Sequence, residues 1–169
     1  MPSEQKSANS CSGYVLDTNI ISARVPDRRI HLPAQFADWL QAHHDKLFVP
    51  CIAFAEIAQG VAKLRRAGGV ERAARLDSWL DGLLNGFPGR ILVLDAASAR
   101  LAGQLSDAAV ARGQRPGFAD VAIAALAMHN GFLLLTRNLK HFEPLGVVCE
   151  DPLALQSDSL VAPSPPTRK

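Results

Sequence analysis

Short, uninterrupted apolar runs alternate along this chain with longer stretches in which apolar residues recur at helical spacing. The apolar runs cover residues 14–16, 47–49, 91–94, 132–136 and 146–149. Runs of this length without polar alternation are typical of strands that are buried on both faces. The helical patterns lie around residues 34–44, 54–67, 70–85, 96–112 and 119–130. The hydrophobic pattern therefore predicts about five strands separated by helices.

Residues with strong capping preferences bound two of these predicted helices. Asp95 precedes the helical stretch that Gly113 follows, and Gly131 follows the stretch that ends near residue 130. Aspartate is a favoured N-cap, and glycine adopts the left-handed conformation that ends many helices. Strands that are joined through helices need crossover connections, which make neighbouring strands parallel. We therefore predict an α/β fold, with a central, mainly parallel sheet of about five strands flanked by helices on both faces.

The length of 169 residues is most simply explained by one domain with a sizeable core. Residues 1–12 are polar, and residues 156–169 are rich in serine and proline. Segments of this composition bury too little apolar surface to become ordered. We therefore predict one folded domain over residues 13–155 between two disordered ends.

Composition narrows the class of protein. Hydrophobic residues make up 48% of the chain and charged residues 20%, as in soluble globular proteins. The formal net charge of +2 is compatible with a nucleic-acid partner but does not by itself indicate one. No apolar run approaches the roughly 20 residues that span a bilayer, and residues 1–12 lack the apolar centre of a signal peptide. We expect a cytoplasmic protein with no membrane partner.

Three acidic residues follow predicted strands or begin predicted helices, and all three lie in apolar surroundings. Asp17 ends the run "YVL", Glu56 lies in "PCIAFAEIAQG", and Asp120 lies in "RPGFADVAIAALAMH". Each acid alone has an ordinary explanation, since Asp17 and Asp120 could cap helices and Glu56 could lie on a solvated helix face. The apolar neighbours of Glu56 nevertheless predict a largely buried helix turn. Because the carboxyl ends of parallel strands share one edge of a sheet, we expect the three acids to lie close together.

Three carboxylates at one edge need a counter-charge. At a separation of about 5 Å they would repel by roughly 3 kcal/mol per pair at an effective dielectric constant of 20. No lysine or arginine lies within four residues of Asp17 or Glu56. A hard divalent cation such as Mg²⁺ takes oxygen ligands of this kind, lowers the pKa of a bound water and stabilises charge on a phosphodiester. The acids therefore predict metal-assisted hydrolysis of a phosphate ester.

Four segments of the chain resemble, in order and spacing, the motifs of PIN-domain ribonucleases, and specifically of VapC-type toxins from toxin–antitoxin pairs. They are "YVLDTNIIS", "AFAEIAQG", "FADVAIAALA" and "LLLTRNLKHFEPLGV". The resemblance covers roughly residues 14 to 150. It implies a single PIN-like domain in which Asp17, Glu56 and Asp120 bind Mg²⁺ or Mn²⁺ and the enzyme cuts single-stranded RNA. It also implies a homodimer and a small VapB-type antitoxin that blocks the site.

The resemblance further implies supporting or substrate-binding roles for Thr18, Asn19 and the "TRN" segment, which comprises Thr136, Arg137 and Asn138. Thr18 and Asn138 are expected to support the metal ligands. Arg137 is the cation that we most expect to contact RNA, because it adjoins the fourth motif and RNA binding needs positive charge near the backbone.

The "TRN" segment also contains a departure from the family pattern. The family often carries a fourth acid at the third position of this tripeptide or three residues later, where this chain has Asn138 and His141. We therefore expect one firm metal site and at most a weak second one, and a structural role for His141. The missing acid leaves a non-catalytic, PIN-like module for RNA binding or dimerisation as an alternative. Metal titration would separate the two, because a pure binding module would not bind Mg²⁺ or Mn²⁺ through Asp120.

Overall fold

The structure is a computed structural model that describes residues 12–25 and 33–152. Apart from Ser12, the two ends for which we predict disorder, residues 1–12 and 156–169, lie outside the described residues.

Five parallel strands form the sheet in the part of the chain that the structure describes. They are β1 (Tyr14–Leu16), β2 (Leu47–Pro50), β3 (Ile91–Leu92), β4 (Leu133–Leu135) and β5 (Cys149–Glu150), and they lie side by side in the order β3-β2-β1-β4-β5. All four neighbouring pairs are parallel. The central strands β1 and β4 are almost entirely buried, which explains why both are continuous apolar runs. The predicted α/β fold with a parallel sheet is confirmed.

Seven α-helices within the described residues connect and flank these strands. They are α1 (Thr18–Ser22), α2 (Ala34–Ala42), α3 (Cys51–Arg66), α4 (Val70–Gly86), α5 (Ala96–Ala111), α6 (Phe118–Asn130) and α7 (Leu139–Phe142). The core forms two clusters because successive strand residues point to opposite faces of the sheet. Val15 and Leu134 pack with residues of α5, α6 and α7, whereas Leu16 and Leu135 pack with residues of α1, α2 and α3. Helices therefore cover both faces, as predicted.

Several element boundaries differ from those predicted from the hydrophobic pattern. The third strand ends at Leu92, and Val93 is 68% exposed, so the end of the run "ILVL" is not a buried strand. The fifth strand begins only at Cys149, because Gly146 at φ 76° ends a 3₁₀ turn over Glu143–Leu145. The third helix begins at Cys51, three residues earlier than expected, because its first turn buries Ala53 against the core.

The strand order places the carboxyl ends of β1 and β4 next to each other. Leu16 pairs with Leu135, and the Asp17 N–H donates to the Leu135 carbonyl oxygen at 3.0 Å. The chain leaves β1 toward β2 and β3 on one side, and β4 and β5 lie on the other side. Ligand sites of open parallel sheets lie at such a change of direction, outside the carboxyl ends of the strands. Asp17 stands at this point.

Candidate active site

Asp17 is the most buried acid of the site and lies directly after β1. It is 5% exposed, and its backbone is extended, at φ −66° and ψ 154°. Its Oδ1 accepts a hydrogen bond from the Thr18 N–H at 2.6 Å, so the residue is also the N-cap of α1. The two explanations considered for Asp17, a helix cap and a site residue, are therefore compatible, because its second oxygen bonds elsewhere.

The second oxygen of Asp17 binds side chains from the first and fourth motifs. Its Oδ2 accepts from Asn19 Nδ2 at 2.5 Å and from Thr136 Oγ1 at 2.7 Å. Asn138 contributes its backbone N–H, which donates to Thr136 Oγ1 at 2.9 Å, and the Arg137 N–H donates to Asn19 Oδ1 at 3.2 Å. The "TRN" segment thus holds the Asp17 carboxylate in one orientation through hydrogen bonds that span both motifs.

Glu56 reaches the same network through Thr18. The Thr18 hydroxyl donates to Glu56 Oε2 at 2.5 Å, which links the first turn of α1 to the second turn of α3. The predicted burial of this helix turn is wrong, since Ala55, Glu56 and Ala58 are all exposed in the described chain. The α3 helix turns only Ala53 and Val61 fully into the core, so its other apolar residues near Glu56 remain accessible.

Asp120 lies in the first turn of α6, where a carboxylate is favoured by the helix dipole. Its side chain is 27% exposed, and its Oδ2 accepts a hydrogen bond from His141 Nδ1 at 3.1 Å. The charge of Asp120 raises the pKa of Asp17. The hydrogen-bond partner of Asp120 is His141, which lies on α7. We expected a structural role for His141. Its imidazole contacts Asp120, one of the predicted metal ligands, three residues after the "TRN" segment.

The electrostatics of Asp17 reflect burial and neighbouring acids. The pKa of the Asp17 carboxyl is raised from 3.8 to about 6, mainly by burial and to a smaller extent by the charges of Asp120 and Glu56. Hydrogen bonds from the Thr136 hydroxyl and the Thr18 N–H lower the pKa and offset part of this rise. The charged form of Asp17 thus lacks a compensating cation among these neighbours, which is the situation that a bound metal ion would relieve.

The side chains at this edge fit a hard divalent cation in donor chemistry. Asp17, Glu56 and Asp120 supply carboxylate oxygens, which Mg²⁺ and Mn²⁺ prefer. Over residues 12–25 and 33–152, no three His, Cys, Asp or Glu side chains converge closely enough to hold a metal ion together. Mg²⁺ usually takes only one or two carboxylates and keeps several waters, so convergence of all three is not a requirement.

A further residue near the site was missed by the sequence analysis. Gln114, in the loop between α5 and α6, lines a cleft together with Asp120 and His141, and its buried Oε1 has no hydrogen-bond partner. Gln114 lies outside the four motifs, and the sequence around it contains no pattern that indicates a ligand-binding residue. Gln114 lies six residues before Asp120, in the loop that leads into α6, and the segment after β4 completes the cleft that both residues line.

Comparison with known proteins places the chain in a family. Residues 14–144 match the model of the PIN domain. A plasmid stability protein, StbB of Pseudomonas syringae pv. tomato, is 34% identical over 134 residues, which cover 79% of this chain and 93% of that protein. The VapC ribonuclease Y4jK of Sinorhizobium fredii is 33% identical over 138 residues, which cover 79% of this chain and 92% of that protein.

Solved structures agree with this assignment. FitAcB from Neisseria gonorrhoeae superposes with a TM-score of 0.71 at 29% identity, over 84% of this chain and 99% of that one. DNA-bound VapBC from Salmonella typhimurium shares the fold, with a TM-score of 0.69 at 21% identity over 82% of this chain and 97% of that one. Since the family match spans most of the folded chain and a VapC ribonuclease is one-third identical to it, the chain belongs to the PIN-domain family and is of the VapC type.

Proposed function

We propose that this chain is the toxin of a toxin–antitoxin pair and a Mg²⁺- or Mn²⁺-dependent endoribonuclease that hydrolyses single-stranded RNA. The observation that carries the proposal is the buried Asp17 carboxylate at the end of β1, whose pKa is raised by burial and by the charges of Asp120 and Glu56. The names of the relatives support the same activity, because Y4jK is a VapC ribonuclease and a Shigella flexneri relative, 27% identical, is a tRNA(fMet)-specific endonuclease. These names favour an enzyme over a non-catalytic module.

Each residue of the network has a role that follows from its contacts. Asp17, Glu56 and Asp120 would hold the metal, which when bound stabilises charge on the phosphodiester and makes a water molecule more acidic. Thr136 and Asn19 hold Asp17 Oδ2 through two hydrogen bonds, and Thr18 orients Glu56. Such partners commonly change metal affinity or activity 10- to 100-fold when they are removed. Arg137 is exposed beside them, where its guanidinium could meet RNA phosphate.

The partners in this proposal are RNA, a VapB-type antitoxin and a second copy of the chain. The Salmonella typhimurium structure is of a VapBC complex bound to DNA, which supports an antitoxin partner. Within the described residues, no helix has the length and apolar character needed to cross a membrane.

The test is cleavage of single-stranded RNA by purified chain freed of antitoxin, with Mg²⁺, with Mn²⁺ and with EDTA. We expect cleavage with either metal and none with EDTA. Asp17→Asn and Asp120→Asn should each abolish cleavage and relieve the growth arrest caused by expression. Asp107→Asn, an exposed aspartate on α5, is the matched control and should behave as the wild type. If the wild type cuts no RNA with either metal, the proposed function is wrong.

A further inference from the structure

A cleft opens beside Asp120. It has a volume of about 210 Å³ and lies between the loop of residues 114–117 and the segment after β4. Its lining consists of residues 114–117, Asp120, Lys140, His141, Pro144 and Leu145. The cleft is smaller than the roughly 300–1,000 Å³ typical of pockets for drug-sized molecules, so its size suits one nucleoside unit.

The walls of this Asp120 cleft are held by hydrogen bonds in the described chain. After α5, Gly113 at φ 78° turns the backbone, and the Gln114 N–H donates to the Ala109 carbonyl at 3.0 Å. On the opposite wall, Arg112 Nη2 donates to the Pro144 carbonyl at 2.7 Å. The hydrogen bond between His141 and Asp120 joins the two walls. The cleft is therefore preformed, which reduces the ordering cost of binding.

The charges around the cleft favour an anionic ligand. Arg115 and Lys140 lie on its two walls and are both exposed, whereas Asp120 is the single carboxylate in its lining. Two cations on opposite walls can contact one phosphate group or two successive ones, and such contacts dominate the affinity of proteins for nucleic acids. Asp120, one of the acids that would hold the metal, also lines this cleft, so the cleft adjoins the proposed metal site.

The rest of the lining suits a base. Pro116, Pro144 and Leu145 supply apolar surface between the two cations. Gln114 Oε1 is buried and has no hydrogen-bond partner in the described chain, which is costly for a polar atom. Because Gln114 lines the cleft, its amide could bond to the edge of a base once the side chain turns toward the bound ligand. The binding of a base would then remove a desolvation cost that the free protein bears.

We propose that the Asp120 cleft binds the nucleotide next to the cleaved phosphodiester, with Arg115 and Lys140 on its phosphates and Gln114 on the edge of its base. This inference rests on the proposed function, because it takes RNA as the substrate. It adds a binding site, and a residue that determines base preference, to the metal-binding edge. A nucleoside held against Asp120 places the next phosphodiester beside the acids that would hold the metal.

Binding of RNA tests the two cations. Affinity of the full-length chain for a fluorescent single-stranded oligoribonucleotide is measured by anisotropy in EDTA, over a range of salt concentrations. Arg115→Ala and Lys140→Ala should each weaken binding and reduce the slope of log K against log [salt] by about 0.7. Arg72→Ala, which removes an exposed arginine from α4 outside the cleft, is the matched control and should change neither. The proposal is overturned if the two cleft variants match this control.

Base recognition tests Gln114. The same measurement is made with oligoribonucleotides that carry an abasic ribose at successive positions. In the wild type, one abasic position should cost more than about fivefold in affinity, because it removes one hydrogen bond and the apolar contacts of the base. The cost of that position should be about fivefold smaller in Gln114→Ala, where only the apolar contacts remain, but should keep its full size in Gln104→Ala, an exposed glutamine of α5. Equal losses at all positions in both variants would contradict a base-reading role.

The outcomes separate this inference from the proposed function. If the cleft variants lose RNA affinity but the wild type cuts no RNA with Mg²⁺ or Mn²⁺, the ribonuclease proposal fails and the cleft stands as an RNA-binding site. If the wild type cuts RNA and the cleft variants bind it as the controls do, the cleft proposal alone fails. Loss of affinity for the antitoxin without loss of affinity for RNA would show a protein contact and would overturn the cleft proposal. Thermal unfolding checks the fold of each variant.

Discussion

Replacement of Asp17 by asparagine should change how the stability of the metal-free protein depends on pH. The Asp17 carboxyl is 5% exposed, and burial raises its pKa from 3.8 to about 6. Because the folded-state pKa lies above the unfolded one, the native state holds the proton more tightly than the unfolded chain does. The contribution of Asp17 to stability is therefore fully present below about pH 4 and is lost as the pH rises through about 6. Asparagine does not titrate and has no such dependence.

The size of the effect follows from the pKa values. A rise from 3.8 to about 6, at about 1.4 kcal/mol per pH unit, corresponds to about 3 kcal/mol of stability lost between low and neutral pH. Between about pH 4.5 and about pH 7.5 the change should be about 2 kcal/mol. Asparagine cannot accept the hydrogen bonds from Asn19 and Thr136 as a carboxylate does, which costs about 1 kcal/mol per bond lost. The pH-dependent part of this cost is already contained in the pKa of about 6, because the same hydrogen bonds favour the charged carboxylate, so it adds nothing further to the slope.

The assay is urea unfolding in EDTA at several pH values, with the free energy of unfolding compared between the wild type and Asp17→Asn. Stability of the wild type relative to the variant should fall by about 2 kcal/mol from about pH 4.5 to about pH 7.5. Asp107→Asn is the control for removing a carboxylate from an exposed position, and it should follow the wild type. Two results would show that burial is not the main influence on the pKa of Asp17. One is that the free energies of unfolding of the two proteins change in parallel with pH, and the other is that the wild type becomes more stable relative to the variant as the pH rises.

Three further changes test the fold and the network. Leu134→Ala removes a fully buried side chain of the central β4 and should cost about 2–5 kcal/mol in urea unfolding, whereas Val148→Ala, at a position 58% exposed, should stay within about 0.5 kcal/mol. Gly131→Ala should lower the free energy of unfolding by about 1 kcal/mol, because Gly131 ends α6 at φ 67°, and an unchanged thermal midpoint would contradict this reasoning. Thr18→Val removes the donor to Glu56 but keeps the backbone bond to Asp17, so RNA cleavage should fall about 10-fold or more. An unchanged cleavage rate would show that Glu56 does not depend on Thr18.

The fold class could be predicted because its signals are local. A strand buried on both faces must be continuously apolar, and a helix must repeat its apolar residues about every 3.6 positions. Helix ends marked by Asp95 and Gly131 were also predictable, since Asp95 accepts from the Ser98 N–H and Gly131 is left-handed. The ends of the strands were less predictable than the ends of these helices. Val93 has the side chain of a strand residue, but it follows the end of β3 and is 68% exposed.

The candidate site was predictable only in part. Asp17 stood out because a charge directly after a buried strand needs a partner. The exposure of Glu56, the contact of His141 with Asp120 and the position of Gln114 were not predictable, because each depends on how separate helices pack. A contact between α6 and α7 leaves no trace in the hydrophobic period of either helix.

The sequence by itself determined which segments become strands and helices and which acids follow strand ends, because burial and backbone preference act over neighbouring residues. Only the tertiary structure decided which of these ends meet. The Thr136 hydroxyl reaches Asp17 across 119 positions of the chain because β4 pairs with β1. Apolar runs of similar composition can pair in any order, so their order depends on how the connecting helices cover the two faces of the sheet. That order brings the first and fourth motifs together and opens the cleft beside Asp120.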